Sequence, residues 1–272
     1  VRRLRRPDSK PKKKNIMNTY NSPTEFLATT LVDGVLTITL NRPDALNAFR
    51  PEMLQGIAQL LDAANTDAQV SVVILEGAGR GFSAGVDLKV LQGTEPMGGK
   101  VGDVFDAPAK RAYLAIRGAR MPVIAKVHGA CFTGALEIAL HCDFMYTTNT
   151  TKFGDTHAKF GLRPTWGMTQ TLAQAVGLRR AKELSFTART FLGAEAVELG
   201  MACAAVEDIE ALDELVAQRA ADIVANSSSA VAAIKDLYNI SQQGHGMIDA
   251  LEAELAQEYP QITDTSERLA GF

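Results

Sequence analysis

The sequence predicts an α/β body followed by a wholly helical C-terminal region. Two observations carry this. From about residue 20 to 206, short β-rich apolar runs alternate with stretches whose apolar residues recur at helical spacing. From 207 onward the β signals fade and three helical stretches remain.

The elements follow in order. "EFLATTLVDGVLTITL" (25–40) is two β-rich runs about Asp33-Gly34, a pair suited to a two-residue hairpin turn. "NRPDALNAF" (41–49) is a polar loop. Pro51 then opens "PEMLQGIAQLLDAAN", where Leu54, Ile57, Leu61 and Ala64 share one helical face. "VSVVIL" (70–75) is a buried strand, ended by the loop "EGAGRGFSAGVDL". After a Gly/Pro-rich excursion (93–108), a helix is expected over about 107–118. "MPVIAKVHG" is a strand, "GACFTGALEIALHCDF" (129–144) a turn and helix, and "CDFMYTT" another strand. The alternation runs to "MACAAV" near 206; the helices then fall at 207–226, 228–241 and 246–259.

Bulk composition narrows the function. In 272 residues, 46% hydrophobic content suffices for a real core, and a net charge of -3 gives no general reason to expect nucleic acid. Three cysteines without a CxxC motif argue against a disulfide framework or a zinc site and suit a reducing cytoplasm. No apolar run is long enough to span a membrane. "VRRLRRPDSKPKKK" heads a basic tail, residues 1–19, that lacks an apolar period. It is expected to be disordered, an upstream extension ahead of Met17 rather than a secretory signal, a targeting segment or an RNA-binding arm.

Two loops are the candidates for carrying chemistry. The loop after strand 70–75 contains neither GxxxxGK[ST] nor GxGxxG, but Gly79, Gly81 and Gly85 free its backbone to turn sharply and expose N–H groups. The ordinary reading is a tight strand-to-helix turn. "HGACFTGAL" is a second such turn, and its helix opens at Gly134, whose N–H has no intrahelical partner. Two such turns could aim two main-chain donors at one developing negative charge. Glu137 sits one turn into an otherwise apolar helix. It either complements the helix dipole or is a general base held where burial raises its pKa.

These stretches are similar to those of the crotonase family, the enoyl-CoA hydratases, isomerases and relatives. "ITLNRPDALNAF" resembles its opening CoA-binding segment. "GRGFSAGVDLK" and "VHGACFTGALEIALHCDF" resemble its two oxyanion loops, "FGDTHAKFGLRPTWG" the strand and loop that follow, and "EAVELGMACAAV" the segment closing the core. The likeness runs from about Phe26 to the C-terminus.

The resemblance implies a crotonase-like spiral of ββα units (20–206), with a C-terminal helical region (207–272) that serves trimerisation. It implies a homotrimer or dimer of trimers acting on an acyl-CoA thioester, with coenzyme A as part of the substrate and no tightly bound cofactor or metal. The oxyanion donors would be the N–H groups of Val86 and Gly134, and the first catalytic glutamate Glu137. Ala45, Leu46, Ala84, Asp87 and Leu88 would lie along the CoA, with Arg42 or Lys89 near a phosphate.

This chain departs from the pattern at the second glutamate, where it has His157. Histidine suits acid–base work near neutral pH, so His157 is expected to hold the water or deliver the proton. A water could also replace the second acid; Asp155 is a weaker stand-in for it, or only orients the imidazole. Trp166, in a loop that is usually small and Gly-rich, is expected to line or narrow the acyl pocket together with Thr165. The alternatives are packing roles for His157 and Trp166. The expected reaction is hydration of a trans-2-enoyl-CoA to the 3-hydroxyacyl-CoA, in the cytoplasm. Double-bond isomerisation, C–C cleavage or thioester hydrolysis is the runner-up, and RNA binding is a more distant reading.

Overall fold

Two sheets and the helices threaded between them build the body of the molecule. The computed structural model describes residues 20–92, 98–241 and 260. The basic tail, part of the Gly/Pro-rich excursion and the third C-terminal helical stretch (246–259) lie outside the described residues.

β1 (Leu27–Val32) and β2 (Val35–Leu40) form the expected hairpin. Asp33 and Gly34 both take positive φ, 50° and 83°, which matches the turn to the right-handed twist of the strands. α1 (Pro51–Thr66) packs its apolar face inward, with Leu54, Ile57, Leu61 and Ala64 buried. β3 (Val72–Gly77) then pairs with β2 in parallel. Its side chains serve two cores. Val73 and Leu75 enter the main core, whereas Val72 and Ile74 face a smaller cluster with Leu212, Val216 and Ala220. Burial on both faces explains why this strand reads as one continuous apolar run.

After β3 come α2 (Leu88–Gln92) and α3 (Asp103–Gly118), then β4 (Val123–Val127). α3 starts four residues before the expected position. Pro108 lies inside it rather than at its first turn, and that misplaced the sequence-based boundary. Next come β5 (Ala130–Phe132), α4 (Gly134–His141), β6 (Phe144–Thr148) and β7 (Lys152–Gly154). α5 (Met168–Val176) and α6 (Leu178–Thr187) follow, then β8 (Phe191–Leu192), α7 (Gly193–Glu198) and β9 (Ala204–Val206).

The large sheet has the order β1-β2-β3-β4-β6-β9, parallel from β2 onward, and the small one β5-β7-β8. The chain therefore alternates: a strand in the large sheet, a short strand in the small one, then a helix, as in β4-β5-α4 and β6-β7-α5. An isolated bridge, Ser83 to Cys131, ties the loop after β3 to the small sheet in the same way. This is the ββα spiral that the resemblance implied. β5 is an addition to the sequence reading, which took 129–133 as a plain turn; three residues are too few for a period to register.

α8 (Ile209–Val224) and α9 (Ser228–Ser241) form the helical C-terminal part within the described residues. Asp208 caps α8 by accepting from the Ala211 N–H. α9 is pinned to the body by buried Lys235, whose Nζ donates to the carbonyls of Ile116 and Met121 and to Asp143 Oδ2, 2.8–3.2 Å away. Among the described residues, no helix is long and apolar enough to cross a membrane.

Candidate active site

α4 begins at an unusual corner. Thr133, just before it, has φ 53° and ψ −114°, a sparsely populated conformation for a residue with a Cβ. It is held there by the small sheet: its N–H donates to Gly154 O at 2.9 Å, and its hydroxyl meets that of Thr156. Gly134 is the first residue of α4, so its N–H has no carbonyl one turn back to donate to.

The Gly-rich loop after β3 comes to the same corner. Gly85 has φ 98°, and a Cβ there would lie 2.9 Å from Phe132 O and 3.8 Å from the Gly134 nitrogen. Only glycine fits both the backbone and the space. Val86 follows directly and bridges to Phe49. The bonds of that bridge use Gly85 O and Asp87 N, so the N–H of Val86 itself points away from Phe49. Gly85 therefore lies against the Gly134 nitrogen, with Val86 the next residue along the loop.

Glu137 lies one turn along α4 and is only 1% exposed. Its Oε1 accepts from the N–H groups of Trp166 (3.0 Å) and Met168 (3.2 Å). Its Oε2 faces His157 Nε2 at 3.6 Å. His157 Nδ1 is 2.6 Å from Asp155 Oδ1, so Asp155 fixes the ring and keeps Nδ1 protonated. Burial pushes Glu137 up from the ordinary 4.5 to about 7, against the pull of His157 and the two N–H donors. Asp155 moves the other way. Burial raises it, but its bonds to His157 and Ser185 outweigh that and hold it below the usual carboxylate range.

The separation of 3.6 Å between Glu137 and His157 is too long for a direct hydrogen bond. It suits a water about 2.8 Å from each. The arrangement therefore offers a carboxylate near neutrality, an oriented imidazole beside it, and main-chain donors one turn away.

The edge predicted for CoA is more mixed. Arg42 and Asp87 bind each other at 2.6 Å. Asp87 also accepts from the Lys89 N–H at the start of α2. Burial pushes the Asp87 carboxyl up, yet the bonds to Arg42 and to the Lys89 and Val90 amides of α2 hold it low. Both side chains therefore brace this segment. Ala84, Leu88 and Lys89 are exposed along it, and Ala45 and Leu46 are half-buried beside it. Leu46 O accepts from the Ala84 N–H at 2.9 Å, joining the two stretches.

Trp166 is 2% exposed and packs on the start of α4: a Cβ on Gly134 would lie 2.6 Å from the indole Cζ3. Two partners of this loop were missed by sequence reasoning. Asp106 Oδ1 accepts from the indole Nε1 (2.9 Å) and from Thr165 Oγ1 (2.7 Å). His141 Nε2 is 2.7 Å from Trp166 O, in a ring stacked on Tyr113. His141 lies four residues after Glu137, on the same face of α4, and that spacing is a signal the sequence does contain. Asp106 is sixty residues from Trp166 and gave none.

The family model for enoyl-CoA hydratase/isomerase matches residues 30–272. The chain belongs to the enoyl-CoA hydratase/isomerase family. It is 34% identical over 229 residues to a probable peroxisomal enoyl-CoA hydratase 1 of Arabidopsis thaliana, covering 83% of both chains. It is 32% identical over 242 residues to a short-chain-enoyl-CoA hydratase of Clostridium acetobutylicum, covering 88% of this chain and 90% of the relative. Among solved structures, an enoyl-CoA hydratase from Bacillus anthracis superposes with a TM-score of 0.83 at 29% identity, covering 91% of this chain and 94% of that one. The crotonase fold expected from the sequence is the fold of this chain.

Proposed function

We propose that this family member hydrates trans-2-enoyl-CoA thioesters to 3-hydroxyacyl-CoA. The observation that carries the proposal is Glu137: a carboxyl lifted to about 7, one turn from Gly134, with Oε2 and His157 Nε2 3.6 Å apart. The thioester oxygen sits between the N–H groups of Val86 and Gly134. A water bound by Glu137 and His157 loses a proton to Glu137 as its oxygen attacks C3. The electrons of the double bond move onto the thioester oxygen, and the enolate is held by the two amides, each worth about 3 kcal/mol in such a role. Glu137 then gives its proton to C2, so both atoms added come from one water. His157, oriented by Asp155, positions that water and stands where the family's second glutamate would be.

CoA binds along Ala45, Leu46, Ala84 and Leu88, with Lys89 toward a phosphate and the Arg42–Asp87 pair bracing the segment. Assembly is as a homotrimer or a dimer of trimers. The large apolar side chains exposed on α6 and α9, Phe186 at 76%, Leu178 at 60% and Ile234 at 53%, support burial between copies. Three free cysteines support the cytoplasmic reading.

The test is a series of enoyl-CoA thioesters followed for loss of conjugation, with the product identified. Wild type forms the 3-hydroxy product. Glu137→Gln loses about 10²–10⁴-fold in turnover, the usual worth of a general base. His157→Ala loses activity as well. Near-normal turnover in Glu137→Gln contradicts the assignment. A shifted double bond as the sole product favours the isomerase alternative, which one acid–base group suffices to perform.

A further inference from the structure

We infer that Asp106 is a latch that holds the Trp166 indole across the acyl end of the site and so restricts this enzyme to short enoyl chains. The inference rests on the proposed thioester site and adds a residue and a substrate class to it.

The direction of the acyl chain follows from the site. With the thioester oxygen at Gly134 and C3 beside the Glu137 carboxyl, the next carbons run toward whatever backs that carboxyl. That is Trp166: its N–H holds Glu137 Oε1 at 3.0 Å, and its indole lies on the Cα of Gly134. Phe105 flanks the ring at 6.5 Å between centroids. The space that alkyl carbons beyond C4 would need is filled by the indole.

The peptide of Trp166 is fixed by Glu137 and His141, but those bonds do not choose the side-chain rotamer. Asp106 does. One of its carboxylate oxygens receives both the indole Nε1 and the Thr165 hydroxyl, at 2.9 and 2.7 Å. A buried indole N–H without an acceptor is costly, so the rotamer that reaches Asp106 is the one that covers Gly134. On the outer side, Asp106, Thr165 and Gly167 line a cavity of about 630 Å³ with Lys100, Lys110 and Arg163. That space adjoins the two neighbours of Trp166 in the chain and its acceptor Asp106, while the indole itself does not line it. Without the latch the indole is free to swing toward it.

The experiment measures kcat/KM on trans-2-enoyl-CoAs of four to ten carbons for wild type, Trp166→Ala, Asp106→Ala and Asp106→Asn. Wild type should favour four carbons over ten by roughly tenfold or more, the scale on which pockets discriminate methylenes. Trp166→Ala and Asp106→Ala should each cut that preference roughly tenfold, mainly by lowering KM for the long substrate. Asp106→Asn, whose side-chain oxygen still accepts both donors, should keep the wild-type preference. A purely structural Asp106 would change kcat at every length and leave the preference untouched. A flat wild-type profile, an unchanged preference in Trp166→Ala or Asp106→Ala, or an Asn variant that behaves like Ala overturns the latch while hydration stands. No turnover at any length removes the hydratase reading and the latch with it.

Discussion

Glu137 binds its proton more tightly in the fold than in the unfolded chain, because burial lifts it from 4.5 to about 7. The stability linked to that proton is complete below about pH 4.5 and is lost as pH rises through 7. The loss approaches about 3 kcal/mol by pH 8.5. Glu137→Gln keeps acceptors for the Trp166 and Met168 amides and carries no such penalty. Urea unfolding should show the variant more stable than wild type at pH 8.5, with the gap closing near pH 5. An equal gap at both values would mean that burial does not raise Glu137.

Asp155 has the opposite sign: its carboxyl is held low, so its contribution is lost only as pH falls into the acid range. Its role in turnover is separable. Asp155→Asn can present an N–H to Nδ1 and reverse the imidazole tautomer. kcat should drop by about 10²-fold or more with KM little changed. Wild-type kcat would reduce the Asp155–His157 pair to packing.

At the scale of elements, the site depends on two turns meeting at the head of α4. Gly85 is a close point of that meeting, with φ 98° and Phe132 O 2.9 Å from where a side chain would begin. Gly85→Ala should lower the urea midpoint by an amount worth more than about 1 kcal/mol, and lower turnover as well by moving the Val86 amide. Unchanged turnover in a folded Gly85→Ala protein would separate that amide from the chemistry.

The same elements explain what the sequence could reveal. The β1–β2 hairpin, α1 and β3 were legible because Asp33-Gly34, a stripe of Leu and Ile, and an unbroken apolar run are local signals. Gly134 and Glu137 were legible for the same reason, being one turn apart. β5 was too short to carry a period, and Pro108 hid the true start of α3. The partners of Trp166 were hidden by distance: Asp106 belongs to another helix, and its place in a first turn is that of any dipole-complementing acid.

At the scale of the molecule, one spiral brings the loops after β3, β5 and β7 to a single corner, which no separate stretch of sequence displays. The order of the five motifs stood in for that topology, since a shared order implies a shared fold. The apolar side chains exposed on α6 and α9 belong to this scale too. Sedimentation should give three or six times the mass of one chain; a monomer at micromolar concentration would leave that surface without its occupant.

The most direct test is a structure with a saturated, unreactive acyl-CoA bound. The account places the thioester oxygen about 2.7–3.1 Å from both the Val86 and Gly134 nitrogens, with Glu137 Oε2 and His157 Nε2 facing C3. A thioester bound elsewhere, or those two amides turned from its oxygen, would contradict it.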